Sequence, residues 1–179
     1  HMRRAVNSAG RENINLPSEE LVRESIATLL LAENYSAGLL RVSFDATGNW
    51  AAVHLPYAEV STAAKVCIHP VALVNEGVPV KSYPYNHRLE ILEQARNNGF
   101  DEALVTSVEG KVCEGAVTNV LLKIAGTWCT PPLSDGVLAG VMRALVIENC
   151  DVMVRSISIS EIKDVESAFL LSSLRIAQP

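Results

Sequence analysis

The spacing of apolar residues along the chain predicts three helices. After Ser18, apolar residues recur every three or four positions, which predicts a capped amphipathic helix that ends at Gly38 and buries its apolar face in the core. The same periodicity from Asn86 predicts a second helix, closed by the Asn-Asn-Gly stretch at 97–99. A third helix is predicted to begin near Gly140.

Shorter apolar segments bounded by turn residues predict strands. Segments 39–44 and 50–55 flank the turn-rich stretch DATGN and predict a hairpin, and segment 65–73 supplies a third strand. Further strands are predicted at 103–107, 117–124, 152–158 and 168–173, around a short helical segment at 161–165, with a connection at 75–80. The predicted fold class is α+β with two lobes, residues 1–78 and residues 79–179, which meet near Lys81.

Composition narrows the function classes. The chain of 179 residues is 49% hydrophobic and 20% charged, which is typical of a folded protein with a core. A net charge of -5 without a Lys/Arg cluster argues against a nucleic-acid partner, and widely spaced cysteines without a CxxC pair argue against a metal site. Apolar runs shorter than about 20 residues predict no membrane span, so a cytoplasmic protein is expected. We interpret His54, His69 and His87 as structural.

Two ionisable residues stand out, although each has an ordinary explanation. Lys81 follows the apolar segment GVPV and could be a solvated lysine beyond a linker. Glu114 lies in the apolar stretch KVCEGAVTN and could be an exposed acid in a turn before Gly115. Taken with a glycine-led helix start near Gly140, which can hold a phosphate on its backbone N–H groups, and with hydroxyls at the end of a strand, the set matches what pyridoxal phosphate requires.

The order and spacing of these residues resemble the class IV aminotransferases, also known as fold-type IV pyridoxal phosphate enzymes. Lys81 lies twenty residues before Asp101 of GFDEALV, and Glu114 of CEGAVTNVLL lies thirty-three residues beyond Lys81, as in that family. The resemblance implies that Lys81 binds the cofactor covalently. It also implies that Glu114 keeps the ring nitrogen of the cofactor protonated.

Further segments resemble the phosphate-binding parts of the same family. These are TPPLSDGVLAGVMRALV, LLSSLRIAQP and HMRRAVNSA. The resemblance implies that the phosphate is bound by the backbone at Gly140, Val141 and Met142, by the hydroxyls of Ser172 and Ser173, and by Arg4. Tyr85 or Asn86 is expected to hydrogen-bond the phenolic oxygen of the cofactor, although Asn86 could instead cap a helix.

Within the family, the runs RLEILEQA, DEALV and AGVMRALV are most similar to 4-amino-4-deoxychorismate lyases, which release pyruvate to give 4-aminobenzoate for folate synthesis. An amino-acid aminotransferase, acting on branched-chain or D-amino acids, would use the same lysine and glutamate, and an inactive truncated relative is a third alternative. The resemblance implies a homodimer that acts on a small amine or amino acid. It also implies that the first strands of the family fold are missing, and His1-Met2 is either a remnant of cloning or native.

Overall fold

The computed structural model describes residues 1–74, 78–82 and 84–179, so residues 75–77 of the predicted connection lie outside the described residues. The chain divides into two compact units, His1–Glu59 and Val60–Pro179. The predicted lobe boundary after residue 78 stays a prediction. Within the described residues, no helix is both long and apolar enough to cross a membrane.

The first unit contains two helices and a hairpin. Its elements are α1 (Met2–Arg11), α2 (Glu19–Ala32), β1 (Gly38–Phe44) and β2 (Trp50–Pro56). Ser18 caps α2 as predicted, because its hydroxyl accepts a hydrogen bond from the backbone N–H of Leu21. The pattern did not predict α1. The apolar face of α2 is only partly buried within this unit, since Val22 is buried and Leu30 is exposed.

The predicted end of α2 at Gly38 is wrong. The helix ends at Ala32, and Gly38 opens β1 opposite Pro56 of β2. A side chain at Gly38 would collide with the ring of His54, which is buried and held by a 2.7 Å contact between its Nδ1 atom and the Glu33 carbonyl. The glycine is therefore required by close packing in the hairpin and not by a helix end. The hairpin itself is confirmed in register.

The second unit contains the remaining elements. They are β3 (Val66–Ile68), α3 (Asn86–Asn97), β4 (Glu102–Thr106), β5 (Val112–Gly115), β6 (Asn119–Ile124), β7 (Thr127–Thr130), α4 (Val141–Asn149), β8 (Met153–Val154), β9 (Val165–Ser172) and β10 (Ile176–Gln178), with short 3-10 turns at Leu133–Asp135 and Ile159–Asp164. The predicted α+β class is confirmed. Helix α3 begins and ends where the sequence predicts, and its buried residues include Ile91, Leu92 and Ala95.

The strands of this unit form two sheets. One has the order β3-β4-β5 and the other the order β10-β9-β6-β7-β8. The third predicted strand is much shorter than segment 65–73 and pairs in parallel with β4, so it does not extend the hairpin. The predicted strand at 152–158 is wrong for most of its length, because only Met153 and Val154 pair, alongside β7. Strands β7 and β10 were not predicted, since each is too short for its alternation to be read.

The core of the second unit positions the strand that carries Glu114. Helix α3 packs on β4, and β4 pairs with β5 so that Val105 lies opposite Glu114. All four residues of β5 are buried, as are all five of β4. A polar residue on β5 must therefore find its hydrogen-bond partners inside the protein.

Candidate active site

Glu114 is a carboxylate inside the core. Its exposed fraction is 3%, so the alternative of an exposed acid in a turn is wrong. The turn follows it: the Gly115 N–H donates to the Thr118 carbonyl at 2.8 Å, and a side chain at Gly115 would collide with the Thr118 hydroxyl. This tight reversal brings Asn119, the first residue of β6, back to the carboxylate.

Three donors hold the carboxylate of Glu114. The guanidinium Nη2 of Arg88 donates to Oε1 at 3.0 Å. The side-chain amide of Asn119 and the backbone N–H of Leu138 donate to Oε2 at 2.9 and 3.0 Å. A carboxylate oxygen can accept two hydrogen bonds, so Oε1 retains the capacity for one more donor.

The surroundings of Glu114 bring its pKa close to neutral pH. Burial raises the pKa of Glu114 from its usual 4.5 to about 7, because a charged carboxylate loses its hydration there. The positive charge of Arg88 opposes this rise, followed by the Leu138 N–H group and the charges of Lys81 and Arg143. A buried acid with such a pKa is typical of functional sites.

Asn119 connects the carboxylate to the start of α4. Its amide nitrogen also donates to the Leu138 carbonyl at 3.0 Å, and a side chain at Gly140 would collide with its amide oxygen. Gly140 precedes the first residue of α4, and neither a capping side chain nor an acidic residue lies in the first turn of the helix. The first N–H groups of α4, including those of Val141 and Met142, have no acceptor within the helix and could bind an anion.

The predicted hydroxyl donors lie where β9 ends. Ser172 is the last residue of β9, against which α4 packs, and Ser173 follows it on the surface. The hydroxyl of Ser172 accepts a hydrogen bond from the Arg175 N–H at 3.1 Å, which leaves its own hydrogen available to donate. The structure thus brings the β9 end and α4 into one unit with Glu114.

Glu102 is a second buried acid, and it contacts both the turn after Glu114 and the hairpin after Ser172. Glu102 has an exposed fraction of 0% and accepts hydrogen bonds from the Ala116 N–H at 3.0 Å and the Thr118 hydroxyl at 3.1 Å. The Nη1 atom of Arg175 forms an ion pair with Oε2 of Glu102, the oxygen that also accepts from Thr118, at 3.7 Å. Burial raises the pKa of Glu102 above its usual value, against the lowering effect of these bonds and charges. Glu102 therefore ties the turn beyond Glu114 to the hairpin beyond Ser172.

Lys81 and Tyr85 form one contact at the start of α3. The ammonium of Lys81 lies 4.9 Å from the centroid of the Tyr85 ring, within range of a cation–π interaction, and Lys81 is exposed. Asn86 does not cap α3, because it is the first helical residue and Tyr85 occupies the cap position. Arg4 lies on α1 of the first unit and is half-buried.

The sequence prediction missed Arg88, Asn119 and Glu102. Arg88 lies in the run RLEILEQA, where an arginine on an amphipathic helix normally faces solvent. Asn119 had a signal, since it closes the EG…N segment five residues after Glu114. The sequence signal for Glu102 was weaker: it is the acid that begins the apolar strand EALVT.

Comparison with known proteins identifies the family. The family model described as amino-transferase class IV matches residues 1–179, the whole chain. The chain belongs to the class IV aminotransferase family. The predicted membership is confirmed, and with it the prediction of an enzyme and of its cofactor, because class IV aminotransferases are pyridoxal phosphate enzymes. A search of the curated proteins finds no match.

Solved structures of class IV enzymes share the fold. A putative 4-amino-4-deoxychorismate lyase from Legionella pneumophila matches with a TM-score of 0.88 at 22% identity, over 99% of this chain and 74% of its own. A branched-chain aminotransferase from Thermoproteus uzoniensis, solved with norvaline, matches with a TM-score of 0.85 at 24% identity, over 100% and 69%. A putative amino-acid aminotransferase from Mesorhizobium loti matches with a TM-score of 0.86 at 23% identity, over 100% and 88%.

The residues of this chain fit the family's cofactor. Oε1 of Glu114 has room for a ring N–H donor, and the start of α4 offers N–H groups without repelling an anion. The Ser172 hydroxyl can donate at the end of β9, the strand against which α4 packs. The described residues contain no cluster of three His, Cys, Asp or Glu side chains suited to a metal ion.

Proposed function

We propose that this class IV enzyme is a 4-amino-4-deoxychorismate lyase in which Lys81 binds pyridoxal phosphate. The observation that carries the proposal is the buried Glu114, which has three ordered donors, spare acceptor capacity at Oε1 and a pKa near 7. A carboxylate of this kind is suited to a cationic ring nitrogen inside the protein. The choice of the lyase rests on the likeness of RLEILEQA, DEALV and AGVMRALV to that branch of the family.

The proposed roles of the residues follow from their positions. When bound, pyridoxal phosphate supplies an electron sink that stabilises negative charge at the carbon bearing the substrate amine. Glu114 accepts the hydrogen bond of the ring N–H. The backbone N–H groups of Val141 and Met142, which follow Gly140, bind the phosphate. The hydroxyls of Ser172 and Ser173 and the guanidinium of Arg4 bind it as well. Tyr85 or Asn86 donates to the phenolic oxygen.

Lys81 has two successive tasks in this proposal. As a free amine, Lys81 would remove the proton from the substrate carbon that carries the nitrogen. As an ammonium, it would then donate that proton to the methylene carbon of the enolpyruvyl group while the bond between the ring carbon and the ether oxygen breaks, so that pyruvate leaves and the ring becomes aromatic. The positive charge of the Lys81 ammonium lowers the pKa of Glu114, so the two groups already interact electrostatically.

The second candidate is an amino-acid aminotransferase, which the name of the family itself favours. In that reaction Lys81 and Glu114 would have the same roles, Lys81 would again move the proton, and the cofactor would supply the transfer of the amino group to a keto acid. Both candidates act on a small amine or amino acid. The proposal also includes a homodimer in the cytoplasm.

Two assays on the cofactor-loaded protein separate the candidates. A lyase releases pyruvate and 4-aminobenzoate in equal amounts from aminodeoxychorismate, whereas an aminotransferase converts D-alanine or a branched-chain amino acid to its keto acid. Lys81→Ala should abolish either activity, and Lys163→Ala, at an exposed lysine, should retain it. Activity with amino acids and none with aminodeoxychorismate would replace the lyase by the aminotransferase, and no activity in either assay would indicate an inactive relative.

A further inference from the structure

Arg88 and Glu114 form a buried ion pair. Arg88 lies in the first turn of α3, and its Nη2 atom is 3.0 Å from Oε1 of Glu114. The exposed fractions of the two side chains are 13% and 3%. The second terminal nitrogen of the guanidinium, Nη1, is buried without a hydrogen-bond partner among the described residues.

The stability of the fold does not explain why an arginine is paired with Glu114 here. A guanidinium taken from water loses its hydration, and here only part of that loss is offset because Nη1 of Arg88 has no acceptor among the residues that the structure describes. Buried ion pairs are often no more stabilising than apolar side chains of the same volume. A methionine at position 88 would fill similar space without these losses. The presence of arginine therefore favours a role at the site.

Arg88 is a cation in direct contact with Glu114. The other donors, Asn119 and the Leu138 N–H, are neutral. Arg143 also lowers the pKa of Glu114, as does Lys81, but the Nη2 atom of Arg143 donates to the Pro131 carbonyl.

Neighbouring thiol and imidazole groups add no negative charge. Burial raises the pKa of the Cys113 thiol to about 11, so the residue beside Glu114 is neutral at physiological pH. The pKa of His69 is lowered by burial and by the charges of His87 and Arg88, so His69 is driven toward its neutral form.

We propose that Arg88 is a positioning residue that keeps Glu114 ionised and oriented for the ring nitrogen of pyridoxal phosphate. This inference rests on the proposed function, because the role of Glu114 toward the cofactor is itself proposed. Arg88 acts through Glu114 and need not contact the cofactor. Its charge favours the carboxylate, while its single hydrogen bond to Oε1 leaves an acceptor position for the ring N–H.

The first test measures the protonation of Glu114 in the cofactor-free protein. The infrared band of a protonated carboxyl group, assigned by its absence in Glu114→Gln, is followed against pH in wild type, Arg88→Met, Arg88→Gln and Arg88→Lys. Loss of an adjacent cation raises the pKa of an acid by roughly one to three units, so the midpoint should rise that far in Arg88→Met and Arg88→Gln. Arg88→Lys should remain nearer to wild type. Arg96→Met, at an exposed arginine in the last turn of α3, should not move the midpoint.

The second test measures binding of the cofactor near pH 7.5. The dissociation constant for pyridoxal phosphate should increase at least tenfold in Arg88→Met and Arg88→Gln and should recover partly in Arg88→Lys.

A stability measurement serves as a control for folding. The free energy of unfolding in urea near pH 6 should be little changed by Arg88→Met, because Glu114 takes up a proton once the guanidinium is gone. If Arg88→Met does not fold, Arg88→Gln, which keeps a donor but no charge, decides the question.

The outcomes separate this inference from the proposed function. A wild-type protein that binds pyridoxal phosphate, together with charge-removing variants whose Glu114 midpoint and cofactor affinity match wild type, would overturn the role of Arg88 alone. A wild-type protein that does not bind the cofactor would overturn the proposed function and this role with it. A raised midpoint with weakened binding, rescued by lysine, supports the inference.

Discussion

Replacing Glu114 with glutamine should remove a pH-dependent loss of stability. The pKa of Glu114 is about 7 in the folded protein and has its usual value of 4.5 when the chain is unfolded. Between these values the folded state binds more protons than the unfolded state, so the free energy of unfolding falls as pH rises. The contribution is complete below the unfolded pKa and is lost as pH rises through the folded one.

The size of the effect follows from the difference in pKa. A difference of about 2.5 units, at about 1.4 kcal/mol per unit, corresponds to about 3 kcal/mol. We expect the free energy of unfolding of cofactor-free wild type, minus that of Glu114→Gln, to fall by about 3 kcal/mol from about pH 4.5 to about pH 8.5. In the variant, Arg88 has lost the carboxylate of Glu114 but carries the same charge throughout this range. The resulting destabilisation is therefore the same at every pH and does not change how the difference in unfolding free energy varies with pH.

Urea unfolding at several pH values measures this difference directly. The exposed Glu90 on α3 provides a control, and the curve of Glu90→Gln should follow that of wild type. Parallel curves for wild type and Glu114→Gln, within about 0.5 kcal/mol across the range, would mean that burial does not raise the pKa of Glu114.

Two further substitutions test the packing around the site. Gly140→Ala should destabilise the protein by about 1 to 3 kcal/mol and weaken cofactor binding, since the new methyl group displaces the Asn119 amide, whereas Gly10→Ala, in open space on α1, should be neutral or stabilising in the same urea titration. Glu102→Ala should cost about 3 to 5 kcal/mol because it leaves the half-buried Arg175 without this carboxylate and the donors of Ala116 and Thr118 without their acceptor, and Glu102→Gln should cost less; equal losses in the two variants would contradict an electrostatic role for Glu102.

The parts of the fold that the sequence predicted are those with local signals. Helix α3 has a continuous apolar face and the sequence Asn97-Asn98-Gly99 at its end, where Gly99 adopts a positive φ of 81°. The hairpin of β1 and β2 has alternating residues and a turn whose Asp45 carboxylate accepts from the Thr47 and Asn49 N–H groups at 2.8 and 2.9 Å. In both cases the determining contacts lie within a few residues.

The parts that escaped prediction depend on contacts distant in sequence. Arg88 and Glu114 are separated by 26 positions, and nothing in either segment shows that one faces the other. Gly38 resembles a helix end but is fixed by the ring of His54 across the hairpin. For the site, the chemistry of Glu114 was predicted from family spacing, whereas the arginine that keeps it charged required the tertiary structure.

Lys81 is proposed to bind pyridoxal phosphate in a site where Glu114 accepts the hydrogen bond of the ring nitrogen. The most direct measurement is to add the cofactor to the purified protein, reduce the adduct with borohydride and map the labelled peptide by mass spectrometry, with Lys163→Ala as a control at an exposed lysine. We expect a yellow protein labelled at Lys81, and the same yield of label at Lys81 in the Lys163→Ala variant. No adduct, or one on another lysine, would contradict the proposal.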